Sequence, residues 1–378
     1  MAEDPIAVHR ASLVIDTHAD TPQRFLDEGW NFSDPLAHGM LSLETARRGG
    51  LNAEFFAAWV EPTLYPGEYA SRTVALLRAV QEQVRRHTDS MQFCLSPEDI
   101  LAAHAAGKFA ALLGVEGGHS IENSLDNLRA FHALGARYMT LTWSNTNEWA
   151  DSSGDLHDAS VPHHGGLTLF GKEVVREMNR LGMMVDVSHV SDQTFADVLN
   201  VTSAPVIASH SSARALTAAP RNLTDEMLRA IAANNGAVMV NFFPAFIDEN
   251  WRAAWNALLP DLHSAQREFA ARRRAAGRTV TYPEAAAIDR EFAARIPRAS
   301  FDALIDHIDH VAKTAGIDHV GIGTDFDGMP SLPAGIDSAA DLPKITAALM
   351  ARGYTAEQMQ KLLGGNLLRV FRDVQRLA

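Results

Sequence analysis

Cysteine is almost absent: Cys94 is the only one in 378 residues. No disulfide can form within the chain, and neither a cysteine-based metal centre nor a paired redox motif is available. Cys94 follows Met91-Gln92-Phe93, so a buried thiol at the end of a strand or helix is expected. There is no run of about 18 apolar residues, which excludes a membrane-spanning helix. Positive charge is also scarce, with 33 Lys+Arg against 46 Asp+Glu and a formal net charge of −13. Such a chain repels phosphate. Its one basic cluster, Arg272-Arg273-Arg274, lies in an Ala/Glu/Arg-rich stretch that reads as a solvated helix face. Nucleic acid is therefore not an expected partner. The N-terminus, Met-Ala-Glu-Asp-Pro, lacks the apolar segment of a signal peptide. A cytoplasmic location is expected, or a periplasmic or secreted one if a leader was removed.

What the chain does have is hydrophobic content of 47%, ample for a core. Eight short apolar runs read as strands: 13–20, 51–60, 109–118, 138–144, 182–189, 204–210, 236–243 and 319–326. Most are continuous rather than alternating, as strands covered on both faces are. Helical patterns fill the intervals. Eight strands alternating with helices predict a (β/α)8 TIM barrel, one domain over residues 1–378. A doubly wound open sheet is the alternative, weakened by the lack of Gly-x-Gly-x-x-Gly after the first strand. Two stretches exceed a minimal barrel. Residues 147–166 form a polar loop holding His157, His163 and His164. Residues 246–298 are a helical insertion between strands seven and eight, with helices expected at 250–259, 262–276 and 283–295.

Five of the runs end in potential metal ligands, and the first delivers two. The first ends in Asp16-Thr17-His18-Ala19-Asp20, where the two-residue spacing puts His18 and Asp20 on one face of a strand tip. The third ends in Glu116-Gly117-Gly118, the fifth in Asp186-Val187-Ser188-His189, the sixth in Ser209-His210-Ser211, and the eighth in Thr324-Asp325-Phe326-Asp327. In a barrel these C-terminal tips converge on one axis. His18, Asp20, Glu116, His189, His210 and Asp325 would then surround one point. Each alone has a plain structural reading, such as a capping carboxylate or a hydrogen-bonded histidine. Their joint placement at strand ends favours a metal centre. Three imidazoles and three carboxylates suit Zn(II), and two ions use that set better than one. Such a pair is equipment for hydrolysis. Asp16, Asp186 and Asp327 read as supporting or turn residues.

The motifs Val14-Ile15-Asp16-Thr17-His18-Ala19-Asp20, Gly114-Val115-Glu116-Gly117, Asp186-Val187-Ser188-His189, Ser209-His210-Ser211, Arg221-Asn222-Leu223, Gly323-Thr324-Asp325-Phe326-Asp327-Gly328 and the closing Gly364-Gly365-Asn366-Leu367 resemble the renal (membrane) dipeptidase family, metallopeptidase family M19. The resemblance implies an amidohydrolase-type barrel with two zinc ions and a hydroxide bridging them. It places His18 and Asp20 on one zinc, His189 and His210 on the other, and Glu116 between. It makes Asp325 the proton shuttle and Arg221 the residue that holds the terminal carboxylate of a dipeptide, including one with a C-terminal D-residue. An arginine fork suits a carboxylate because it can donate two parallel hydrogen bonds.

The chain departs from the mammalian pattern in two places. Where those enzymes carry an oxyanion-supporting histidine after Leu-Thr, this sequence reads Leu141-Thr142-Trp143. The candidate substitutes are Trp143 itself or one of His157, His163 and His164, with surface histidines on that loop as the alternative. The insertion is longer, and is expected to wall the active-site mouth, with a homodimer contact as the alternative. Competing functions are hydrolysis of another amide, such as an N-acyl amino acid, and a non-hydrolytic relative that binds a ligand or assists maturation.

Overall fold

The computed structural model describes residues 3–378. Among the described residues nine strands form: β1 (Val14–Ala19), β2 (Leu51–Trp59), β3 (Met91–Phe93), β4 (Phe109–Glu116), β5 (Ala136–Thr140), β6 (Met184–Asp186), β7 (Ile207–Ala208), β8 (Ala237–Val240) and β9 (Val320–Ile322). Every pairing is parallel. The order β2-β1-β9-β8-β7-β6-β5-β4 closes on itself because β2 also pairs β4 along Ala53–Trp59. Eight strands thus make a closed barrel, as the sequence predicts. The ninth, β3, pairs with the first residues of β4 and leaves the remainder of that edge to β5. At three residues it is too short to show as an apolar run. Cys94 follows it, buried and free, its thiol pushed up to about 12 by burial and then by Asp99.

Alternation along each strand sorts the core into two layers. Ile15, Phe55, Leu112, Tyr138, Met184, Ile207 and Met239 fill the barrel, together with Leu367, Val370, Phe371 and Val374 of the C-terminal helix Asn366–Arg376. That helix plugs the end away from the strand tips. Val14, Phe56, Leu113, Met139, Val185, Val238 and Ile322 face outward under the surrounding helices. Those helices start where the sequence offers a cap: Ser96, Ser124, Thr168, Ser191, Thr224 and Ser300 each accept a backbone N–H of the turn they open. Among the described residues no helix is long and apolar enough to cross a membrane.

The insertion differs from expectation in one respect. The turn anticipated near residue 260 is not there: Glu249–Ala275 is one helix with Pro260 inside it. Proline removes a single intrahelical hydrogen bond, at roughly 3 kcal/mol. Packing on both sides of the proline offsets this. Trp251, Trp255 and Leu258 anchor the helix base against Phe243 and Phe246, and Leu262 is buried beyond it. A second helix, Tyr282–Ala293, returns alongside.

Candidate active site

Glu116, the last residue of β4, lies at the middle of the strand tips and is buried. One of its oxygens, Oε2, is 3.4 Å from His18 Nε2. The other, Oε1, is 2.9 Å from His189 Nε2 and 3.2 Å from His210 Nε2. His18 Nε2 is also 3.8 Å from Asp20 Oδ2. Ligand atoms of His18, Asp20 and Asp325 lie within 4.8 Å of one another, as do those of His18, Glu116 and His210. The structure therefore brings together all six residues that the strand tips single out.

The tips leave regular ladder geometry to achieve this. His189, Asp325 and Asp327 have φ of 66°, 64° and 65°, a left-handed conformation that side chains other than glycine adopt at a cost of order 1–3 kcal/mol each. Side chains supply the missing restraints. Asp186 Oδ1 accepts the backbone N–H groups of Ser188 (3.0 Å) and Ser209 (2.8 Å), so a carboxylate replaces the β6–β7 ladder beyond its first rungs. This is why β6 and β7 are much shorter than the apolar runs that contain them. The His189 carbonyl accepts Ser153 N–H (2.8 Å) and the Ser152 and Ser153 hydroxyls (3.2 and 3.0 Å). The polar loop after β5 thus serves to hold His189. Gly328 is required for a steric reason: a Cβ there would lie 2.1 Å from Asp20 Oδ2 and 2.4 Å from Asp325 Oδ1.

Each imidazole is oriented from behind. His18 Nδ1 bonds the Tyr138 hydroxyl at 2.9 Å. His210 Nδ1 bonds Ser209 Oγ at 2.7 Å, and Ser209 Oγ in turn donates to Asp186 Oδ2 at 2.5 Å. Asn241 Nδ2 donates to Asp325 Oδ2 at 3.0 Å. Asp16 is buried under β9, accepting Thr324 N–H at 2.8 Å, and Asp327 accepts Met40 N–H and the Thr21 hydroxyl at 2.6 and 2.7 Å. Tyr138, Ser209 and Asn241 were not singled out from sequence. Asn241 had a signal, as a polar residue closing the apolar run Val238-Met239-Val240. Tyr138 had none, since a tyrosine inside an apolar run reads as core.

The electrostatics are those of a cation site. Burial pushes His18 down, but Glu116, Asp20 and Asp325 overcome it and raise its pKa to about 10. Burial, then Glu116, lifts Asp20 well above the carboxylate range, while burial raises Asp325 to about 6. Burial and Arg221 lower His189 to about 4; burial and His18 press His210 well below its ordinary value. Neutral imidazole nitrogens therefore face carboxylate oxygens, and His189 Nε2 lies 3.0 Å from His210 Nε2. His18 Nε2 and Asp20 Oδ1 are buried without any hydrogen-bond partner. A divalent cation resolves each of these juxtapositions, so the donor set fits the metal that its chemistry implies.

Above the tips opens a cavity of about 610 Å³, lined by Asp20, Glu116, His189 and Asp325 at its floor. Its walls include Trp59, Trp143 and Phe243 near the strand tips and Phe246, Gln266, Phe269, Tyr282, Ile288 and Asp289 from the insertion. Arg221 is buried beside Phe246, 5.6 Å from that ring. Its Nη groups are engaged by Ser211 Oγ at 2.6 Å and His210 O at 2.7 Å, which leaves the buried Nε without a partner. Trp143 lines the cavity. The loop histidines do not: His157 is exposed, His163 sits 3.7 Å from Asp155, and His164 Nε2 bonds Asn147 O at 2.8 Å.

The sequence profile of the membrane dipeptidase family matches residues 3–378. Dipeptidase tcpJ of Claviceps purpurea (strain 20.1) is 32% identical over 348 residues, 90% of this chain and 70% of that protein. The probable dipeptidase PvdM of Pseudomonas aeruginosa superposes with a TM-score of 0.82 at 27% identity, covering 99% of this chain and 98% of that one. A metallopeptidase of Rhodobacter sphaeroides, solved with a phosphinate mimic of the dipeptide L-Ala-D-Ala, superposes with a TM-score of 0.76 at 26% identity, covering 96% and 99%. A closed parallel barrel, a cluster of metal-binding side chains at its strand tips and a match along the whole chain agree: this protein belongs to the membrane dipeptidase family, peptidase family M19, and is a metallodipeptidase.

Proposed function

We propose that the chain hydrolyses dipeptides with two zinc ions, one on His18 and Asp20, the other on His189 and His210, with Glu116 shared between them. The carrying observation is the two-sided environment of Glu116, with His18 at one oxygen and His189 and His210 at the other. When bound, the ions polarise a carbonyl and activate a water for attack.

The rest of the reaction falls to the chain's own groups. Asp325, held at Oδ2 by Asn241, has its other oxygen free to take the attacking water's proton and return it to the leaving amine. Arg221 anchors the terminal carboxylate through its unpartnered Nε–H and the Nη hydrogens left over from Ser211 and His210. Fixing that end places the peptide bond over Glu116 and limits the substrate to about two residues. The insertion contributes Gln266, Phe269, Tyr282, Ile288 and Asp289 to the cavity wall and would limit the water that reaches the reacting groups.

The test is zinc-dependent release of amino acids from a mixed L,L and L,D dipeptide set, with metal content measured on the same sample. Turnover with near two zinc per chain, lost in Asp325→Asn, supports the reading. Two zinc without turnover of any dipeptide overturns it and directs the assay to N-acyl amino acids.

A further inference from the structure

Three aromatic rings from distant parts of the chain meet on one side of the cavity. Trp59, at the tip of β2, is the shared neighbour: its ring centroid is 4.7 Å from Trp143, after β5, and 5.2 Å from Tyr282, in the insertion. Trp59 is only 6% exposed and backs the other two, which are half-buried. Tyr282 is tied to the barrel rim by its hydroxyl, which donates to Asp327 O at 3.4 Å. Trp143 reaches the metal-facing side, 6.5 Å from His189.

Barrel order fixes where this wall stands relative to the carboxylate anchor. β2, β4 and β5 are consecutive around the ring, and β8 lies across from β4. Arg221 and Phe246 follow β7 and β8. A dipeptide whose carboxylate is on the β7–β8 side and whose peptide bond lies over Glu116 therefore points its amino-terminal residue at the aromatic wall. There is space to fill. Alanyl-alanine has about 11 non-hydrogen atoms and, at no more than a water's share of roughly 30 Å³ each, occupies at most about 330 Å³. The cavity holds about 610 Å³, and Leu64, Val280 and Ile288 line it together with polar groups such as Glu61, Arg267 and Asp289.

We propose that Trp143, Trp59 and Tyr282 form the subsite for the side chain of the substrate's amino-terminal residue, and that the preferred residue there is large and apolar, aromatic above all. Trp143 on this account is a specificity residue, and the insertion contributes to substrate choice through Tyr282. The orientation of the substrate rests on the dipeptidase reading above.

The experiment compares kcat/KM for Phe-Ala, Ala-Phe, Lys-Ala and Ala-Ala in the zinc-loaded enzyme, Tyr282→Ala, Tyr282→Phe and Trp143→Ala. Misfit of one methylene in an apolar pocket already changes selectivity by about 10–200-fold, so the Phe-Ala to Ala-Ala ratio is expected to exceed about 10. It should fall by about tenfold or more in Tyr282→Ala and Trp143→Ala, and persist in Tyr282→Phe, which keeps the ring. A ratio near one, a preference residing in Ala-Phe or Lys-Ala, or a preference untouched by removing either ring overturns the proposal. Calorimetric binding of phosphinate dipeptide mimics with a benzyl or methyl group at the amino-terminal position separates the two readings. If no dipeptide is turned over, the proposed function fails, while tighter binding of the benzyl mimic, weakened in Tyr282→Ala, still supports the subsite. Equal binding of the two mimics sinks the subsite whatever the turnover.

Discussion

Replacing Asp186 by Asn should weaken His210 as the metal ligand proposed above while leaving the barrel folded. Asp186 Oδ1 is pinned by two backbone N–H groups, those of Ser188 and Ser209. The amide oxygen of an asparagine must take that place, since its NH2 would face two donors. The NH2 then replaces Oδ2, which accepts the Thr140 and Ser209 hydroxyls at 2.5 Å each. In the native protein the Ser209 proton points at Asp186, so Ser209 Oγ accepts from His210 Nδ1–H and leaves Nε2 bare toward Glu116. In Asp186→Asn the amide donates to Ser209, whose proton turns to His210 Nδ1, and the imidazole hydrogen moves to Nε2. Changes to partners of this kind typically weaken a site by about 10–100-fold, equivalent to about 1.4–2.7 kcal/mol. Asp186→Ala behaves differently. It orphans two buried N–H groups at about 1–3 kcal/mol each and lowers folding stability directly. Chelator competition for zinc and urea denaturation of the metal-free protein measure the two effects. Wild-type zinc affinity in Asp186→Asn would refute the relay. Equal destabilisation of the metal-free Asn and Ala variants would show that Asp186 acts only through the backbone.

Asp325→Asn should keep its metal and lose roughly 10²–10⁴-fold in kcat, as expected for a proton-transfer group; metal content and steady-state rates on one sample check this. If Glu116 is shared between two ions as proposed, Glu116→Gln should lower the metal content of the purified protein, since a neutral amide offers them less charge, and metal analysis after dialysis reads this out. Because His18 in the metal-free site holds its proton up to about pH 10, a cation bound there as proposed must displace it. Apparent affinity should then rise about tenfold per pH unit between roughly pH 7 and 9, and calorimetry in buffers of different ionisation enthalpy should show protons released on binding. Buried His307 accepts Ala213 N–H at 3.1 Å, and burial lowers its pKa to about 4. Its unfolded pKa is near 6.5, so between about pH 6.5 and 4 the unfolded chain binds a proton that the native one does not. Stability therefore falls with acidification, by up to about 3 kcal/mol over that window. Urea midpoints at pH 7 and pH 5 should differ less in His307→Gln than in the wild type.

The barrel and the six residues at its mouth were legible because both rest on local signals. A strand buried on both faces reads as a continuous apolar run, and a charged residue or histidine at its end stands out. What supports the ligands was hidden because it depends on adjacency between strands. Ser209 and Asp186 meet across 23 residues, and the bond makes sense only once β6 and β7 are neighbours. Tyr138 looked like core and is core, with its hydroxyl reaching His18 from within the barrel. The histidine-rich loop after β5 misled in the opposite direction. Its polarity marked something real, yet the groups that matter are Ser152 and Ser153 bonded to the His189 carbonyl, while its imidazoles lie away from the cavity. The turn expected between residues 259 and 262 is absent because Trp251, Trp255 and Leu258 before Pro260 and Leu262 after it hold the long helix together.

The seam between the first and last strands carries a consequence for how the protein is made. β1 and β9 are joined near the site by Asp325 N–H to His18 O and Asp20 N–H to Phe326 O, at 3.0 and 2.8 Å. His18 and Asp20 leave the ribosome about 300 residues before the strand that completes their surroundings. At roughly 5–20 residues per second, that is an interval of about 15–60 s. Throughout it, the first ligands sit on an unclosed sheet whose free edge awaits its final partner. On the proposed reading, a metal captured in that period would meet a half-built site, so it is best acquired once β9 is in place, and a chain truncated before β9 should be both metal-poor and prone to association through the exposed edge of β1.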